Sequence, residues 1–284
     1  MYSQSITRTH RTAFVVLVDG SGSMGEEILF RGIRISKAKA VSMIANELLF
    51  ELIERARRTE GIRDYYDVAL YGYSGDSEVR SLLDGGDEMI SIDELARRPH
   101  GMTRQTLELR LPDGSAALRE MQTPEWIAPH AAGNTPMIEA LRTARDLVAR
   151  WIAREENYQS FPPIVFNITD GEATDGNDEE LQSVARQIRT LHTADGHVLL
   201  INIHIGTGDE RPLFFPGQDE PLPMNRHART LYEASSEMPA CFDAAIRATK
   251  GAGSMPPFRG MSFNASAAEV MTMLNIGSIS LKTE

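Results

Sequence analysis

Three largely apolar stretches punctuate the chain, and each runs into a polar or glycine loop. Phe14-Val-Val-Leu-Val18 is rich in valine and stops at Asp19; Ile164 to Thr169 stops at Asp170; His197 to Ile205 stops at Gly206. Near-continuous β-branched runs of this length predict strands buried on both faces, as in a parallel sheet. Between them the period lengthens to 3.6. Val41, Ile44, Ala45, Leu48, Leu49, Leu52, Ile53 and Ala56 form one stripe of a long helix that Gly61 is expected to stop. Ile138, Leu141, Leu147, Val148 and Ile152 form a second stripe, and Leu181, Val184, Ala185, Ile188 and Leu191 a third. Strands alternating with helices predict an α/β fold: Rossmann-like, doubly wound, with helices on both faces of a mostly parallel sheet. Tyr66–Tyr73 and Glu78–Leu83 flank Ser74-Gly75-Asp76. That pattern reads as one antiparallel hairpin at a sheet edge.

The remaining segments read less sharply. Glu26 to Gly32 is expected to be a simple link into the long helix. Residues 84–132 form an insertion, with a short helix at Ile90–Arg97, a strand at Thr106–Leu111 and a turn at Pro112-Asp113-Gly114. Its end carries Trp126, Pro129 and His130 and leads into Thr135. Two readings stay open for it, a reach toward the loops at the strand ends or a surface elaboration. Residues 207–224 read as a long surface loop that leaves Phe214 and Phe215 in question. Arg229–Ser236 and Phe242–Thr249 read as short helices, Arg259–Phe263 as an edge strand, and Asn264–Leu274 as a last helix with Val270, Met271 and Leu274 inward. His204 reads as a satisfied core histidine. No repeat or linker divides the chain, so 1–284 is expected to be a single domain, with its core at about 13–83 and 133–275.

The chemistry concentrates where strands end. Ligands of open α/β sheets bind beyond the carboxyl ends of the strands. There Asp19, Ser21 and Ser23 place three oxygens on one glycine-rich loop, D-x-S-x-S, and oxygen ligands suit a hard cation such as Mg²⁺. Gly133-Asn134-Thr135-Pro136 opens the second helix, with Thr135 as its expected N-cap and Pro136 its first residue. Asp170 ends the next strand, and Asp178 is expected to cap the helix after it. The alternative for Asp19 and Asp170 is that they only cap turns.

These three parts, in this order and context, resemble the metal-ion-dependent adhesion site of von Willebrand factor A domains. The resemblance covers about 13–83 and 133–275. It implies that Asp19, Ser21, Ser23, Thr135 and Asp170 hold one divalent cation, Mg²⁺ first, with Mn²⁺ or Ca²⁺ possible. It also implies a binding module, of the intracellular bacterial kind, whose partner protein supplies an acidic ligand to the metal.

Composition narrows this further. The chain has 284 residues, 42% hydrophobic, ample for a large core. With 29 basic and 40 acidic residues its formal charge is −11, which argues against nucleic acid or an anionic membrane as partner. The single Cys241 allows no internal disulfide, the first residues lack an apolar signal core, and no apolar run is long enough for a membrane span; a cytoplasmic location is expected. Other chemistries fit poorly. A D-x-D phosphatase needs a second carboxylate where Ser21 stands, a nucleophile elbow needs a glycine where Ser21 stands, and no phosphate loop is present. An enzyme is not expected. The alternative is a metal-dependent hydrolase using a metal-bound water, for which only Glu172 or Asp175 is placed as general base.

Overall fold

The computed structural model describes residues 2–110, 116–206, 211–251, 253–264, 269–270 and 272–273. In chain order its sheet strands and helices are β1 (Thr12–Asp19), α1 (Lys37–Ala56), β2 (Tyr66–Ser74), β3 (Glu78–Ser81), β4 (Ile90–Ser91), α2 (Ile92–Arg97), α3 (Met137–Ile152), β5 (Ile164–Thr169), α4 (Asp178–Thr190), β6 (Leu199–His204), β7 (Leu213–Phe214), α5 (Arg226–Ala234), α6 (Asp243–Lys250) and β8 (Met261–Phe263). The strands form one sheet in the order β7-β8-β6-β5-β1-β2-β3, with β4 also paired to β2.

β1 lies inside this sheet, between β5 and β2, as its apolar sequence requires. All eight of its residues are buried. Phe14, Val16 and Val18 face one side and join α1, α2 and Trp126 in one core. Val15 and Leu17 face the other and join α3, α4 and α5. Strands covered on both faces are the parallel kind. β1 pairs in parallel with β5 (Phe14 to Val18 against Ile164 to Ile168) and with β2 (Thr12 to Asp19 against Tyr66 to Tyr73). β6 adds to β5 and β8 to β6, also in parallel. The expected mostly parallel sheet with helices on both faces is present, and β2 and β3 form the expected hairpin. Two further short antiparallel pairs, β4 on β2 and β7 on β8, complete the sheet.

Several local expectations are corrected. Glu26 to Gly32 is no simple link: Glu27–Phe30 and Ile33–Ser36 form a hairpin before α1. α1 ends at Ala56, and Gly61 instead belongs to a small hairpin of Arg57–Arg58 with Gly61–Ile62. Residues 259–263 do not form the edge; β8 lies between β6 and β7. The edge strand β7 falls inside the expected surface loop, and Phe214 and Phe215 are both buried. The two short helices fall at Arg226–Ala234 and Asp243–Lys250, each displaced from its expected span. Of the last helix, Val270 is buried as expected, whereas Met271 and Leu274 lie outside the described residues.

The insertion contributes to the core at both ends. Ile90, Ile92 and Leu95 are buried near its start and Trp126 and Ile127 near its finish. Gly101–Arg110 pairs with Ala116–Glu125 as a long hairpin, which contains the expected strand up to Arg110; Leu111 and the turn at 112–114 lie outside the described residues. Asn46 of α1 ties down the exit from this hairpin. Its Oδ1 accepts from the amides of Trp126 (2.8 Å) and Ile127 (2.9 Å), and its Nδ2 donates to the Ile127 carbonyl (2.9 Å). The chain then runs to the loop after β1, where Ala132 N–H donates to Gly20 O at 2.7 Å and Gly22 N–H donates to Gly133 O at 2.9 Å. Of the two readings left open, the reach toward the strand-end loops is the observed one. No helix among the described residues is long and apolar enough to cross a membrane.

Candidate metal centre

The adjacent strands β1 and β5 both end at one point, and three loops meet there. Asp19, the last residue of β1, is buried and fixed by two donors. The Ser21 amide gives to Oδ1 at 2.8 Å and the Thr169 hydroxyl to Oδ2 at 2.7 Å. The loop then turns as a short 3-10 helix, Gly22–Gly25, which brings Ser23 round to face β5. Ser21 Oγ lies 3.1 Å from Ser23 Oγ, and Ser23 Oγ donates to Asp170 Oδ1 at 2.7 Å. The Ser21 side chain also bonds to the Asp19 carboxyl, so one run of contacts links Asp19, Ser21, Ser23 and Asp170.

Thr135 closes the group. It is buried, and Gly171 lies between it and Ser23: a methyl group at Gly171 would stand 3.8 Å from Thr135 Oγ1 and 4.0 Å from Ser23 Oγ. The Thr135 amide donates to Thr174 Oγ1 (2.9 Å) and its carbonyl accepts from Thr174 N–H (3.0 Å). Among the described residues nothing bonds to its hydroxyl. Thr135 is not the N-cap of α3, which starts at Met137 after Pro136. Asp175 supplies that service from the loop after β5, accepting from the amides of Ile138 (3.1 Å) and Glu139 (2.8 Å). A carboxylate suits that position because the first amides of a helix have no internal partner and its dipole favours negative charge there. Likewise Asn177, not Asp178, caps α4, through the Glu180 amide.

All five expected residues are therefore brought together, and the structure adds three supporting residues, of which the sequence reading names only Asp175, and that as a candidate general base. Thr169 orients Asp19. Asp175 fixes the helix behind Thr135. Lys37, at the first position of α1, donates from Nζ to Asp170 Oδ2 at 3.0 Å and to Glu26 Oε2 at 2.7 Å. Its side chain is 4% exposed and that of Asp170 is 0% exposed, whereas Glu26 stands in solvent. A cation in the first turn of a helix opposes the dipole, and that is the one signal in the sequence that a nearby anion must hold it.

The electrostatics follow from burial. Burial pushes the Asp19 carboxyl above its ordinary value; the bonds from Ser21 and Thr169 oppose this, and the charge of Asp170 adds to it. For Lys37, burial opposes the charge, yet the bonds to Glu26 and Asp170 outweigh it and hold the amine above its ordinary value. Glu26 is lowered in return by its bond to Lys37. Behind Asp170, His204 stacks on Phe263 (4.3 Å between centroids) and its Nδ1 accepts from the Asn264 amide at 3.1 Å. Burial pushes His204 down to about 3, with His227 and Lys37 acting in the same direction. It is the core histidine expected of it.

The donor set consists of two carboxylates and three hydroxyls, all hard oxygens, and fits Mg²⁺ or Mn²⁺ rather than a softer metal. Among the described residues no group of three or more His, Cys, Asp or Glu could hold an ion.

No protein-family model matches the chain, and no curated protein matches it. Solved structures do. It is similar to von Willebrand factor type A from Catenulispora acidiphila (15% identity, TM-score 0.40), over 69% of this chain and 34% of that one. It is similar to the manganese-loaded TRAP protein of Plasmodium vivax (18%, TM-score 0.43), over 94% of this chain and 72% of that one. A third is the vWF domain of the type V pili tip protein Mfa5 from Porphyromonas gingivalis (18%, TM-score 0.34), over 58% and 39%. The chain thus spans 34% of the length of the first of these. Likeness at this level bears on no residue's role.

Proposed function

We propose that this chain is a metal-dependent protein-binding module of the von Willebrand factor A type, in which Asp19, Ser21, Ser23, Thr135 and Asp170 hold one divalent cation, Mg²⁺ first. The observation that carries the reading is the convergence of these five side chains from three loops on the ends of β1 and β5. When bound, such an ion supplies a positive centre with positions left for water or for a carboxylate from another protein. The chain's own residues do the rest. Asp19 is held by Ser21 and Thr169, and Thr135 is held by Thr174. The two carboxylates formally balance a divalent ion, and a partner's carboxylate would enter at a position otherwise filled by water.

Binding rather than catalysis is the preferred reading of the same side chains. A hydrolase would need a general base beside the ion. Of the two candidates, Glu172 and Asp175, the second already caps α3 through two helix amides. An intracellular scaffold or regulator, in the cytoplasm that the single cysteine suggests, belongs to the same proposal. The test is a pull-down from the native cell with Mg²⁺ and with EDTA, using Asp170→Ala as control. A partner retained only with Mg²⁺ and an intact Asp170 supports the reading. Metal-dependent turnover of a phosphoester or peptide that requires Asp19, with no partner retained, would replace it by the hydrolase.

A further inference from the structure

We infer that Lys37 is a tethered cation that competes with the metal for Asp170, and that Glu26 is the acceptor onto which it is released. The inference rests on the metal-site reading above and adds a residue that sets how tightly the ion is held.

Asp170 has two oxygens and both are occupied by the protein: Ser23 on Oδ1 at 2.7 Å and Lys37 on Oδ2 at 3.0 Å. The Lys37 ammonium is buried beside a site whose other charge is Asp19. One fixed positive charge therefore cancels half of the negative charge that would attract a divalent ion. Because Lys37 and Asp170 are both out of solvent, water screens this opposition poorly. Lys37 also has a second partner that is not part of the site. Glu26 Oε2 lies 2.7 Å from the same Nζ and its side chain is 61% exposed. An ammonium has three donors and no need to hold both carboxylates at once. When Asp170 turns its charge to a metal, Lys37 keeps Glu26. It need not become a bare charge in the interior, which would be costly.

The geometry also explains why a lysine stands at the first position of α1. There the helix dipole works against it. Two carboxylates overcome that, one of them from a loop 133 residues away in sequence. A purely structural ion pair would need only one.

The experiment is titration calorimetry with Mg²⁺ and with Mn²⁺ on the full chain and on Lys37→Met, Lys37→Arg and Glu26→Gln, each checked for folding by circular dichroism. Removing the charge in Lys37→Met is expected to tighten metal binding by about tenfold or more, as expected for a like charge removed from a poorly screened site. Lys37→Arg keeps the charge and is expected to stay near wild type. Glu26→Gln removes the negative charge of that acceptor, shifts Lys37 toward Asp170, and is expected to weaken binding about threefold. If Lys37→Met does not fold, the opposite-signed effect of Glu26→Gln decides. Equal affinities across folded variants, or weaker binding in Lys37→Met, would overturn this inference and leave the metal site standing. Absence of binding in wild type and Lys37→Met alike would overturn both.

Discussion

The hydroxyl of Ser23 donates to Asp170 Oδ1 at 2.7 Å across 147 residues of chain. This contact joins the loop after β1 to the loop after β5, and it exists because the two strands are neighbours in one parallel register. The proposed site combines contacts within the loop after β1, Asp19 to Ser21 and Ser21 to Ser23, with contacts of this kind between loops. The predictions below act on those contacts.

Asp175→Ala removes the cap of α3 and leaves two helix amides unpaired. It is expected to cost about 1–2 kcal/mol in urea denaturation. It should also weaken metal binding, because Thr135 stands immediately before that helix. Asp175→Asn keeps an acceptor oxygen and should recover most of the stability.

Gly133→Ala tests how the insertion's end is locked to the site. Gly133 has φ +76°, and a Cβ there would lie 2.7 Å from Gly75 Cα and 2.8 Å from Gly75 N. Neither the backbone conformation nor the neighbour can accommodate it cheaply. A loss of about 2–3 kcal/mol is expected from strain and displacement together. An unchanged denaturation midpoint would show that the Gly75 and Gly133 loops are not packed as described.

Asn46→Leu should be severe for its size. It leaves the amides of Trp126 and Ile127 without their acceptor in the buried interface with α1, while the Ile127 carbonyl keeps the Ser42 hydroxyl. Each unsatisfied buried group costs on the order of 1–3 kcal/mol. If the 84–132 segment were a detachable elaboration, the variant would melt like wild type.

Acid should destabilise the protein through His204. Its folded value is about 3 against an ordinary 6.5, so in that window the unfolded chain binds the proton and the folded one does not. The contribution is complete above pH 6.5 and is lost as pH falls toward 3, at about 1.4 kcal/mol per pH unit. Denaturation at pH 7, 6 and 5 should show this slope, and His204→Gln should flatten it.

These contacts also show what the sequence could reveal. β1 and β5 were legible because valine-rich runs buried on both faces leave few alternatives, and the D-x-S-x-S loop followed directly. The hairpin at Glu27–Ser36 was not, because Leu29 and Ile33 are 73% and 66% exposed and so break the inside–outside alternation that marks a half-buried strand. Phe214 and Phe215 stayed in question because a two-residue strand has no period; their burial is decided by β8, far along the chain. Thr135 resembled an N-cap locally, but Asp175 reaches α3 from 36 and 37 residues away, which no local pattern encodes. Lys37 carried only the faint signal of a cation at the wrong end of a helix.

Titration of Mg²⁺ into the wild-type chain, Asp19→Asn and Thr135→Ala, all confirmed as folded, tests the central claim most directly. Asn keeps the size of Asp19 and one of its two acceptor oxygens and removes its charge. Saturable one-to-one binding by wild type, lost in Asp19→Asn and weakened in Thr135→Ala, is the predicted result. Equal heats from all three proteins would contradict it.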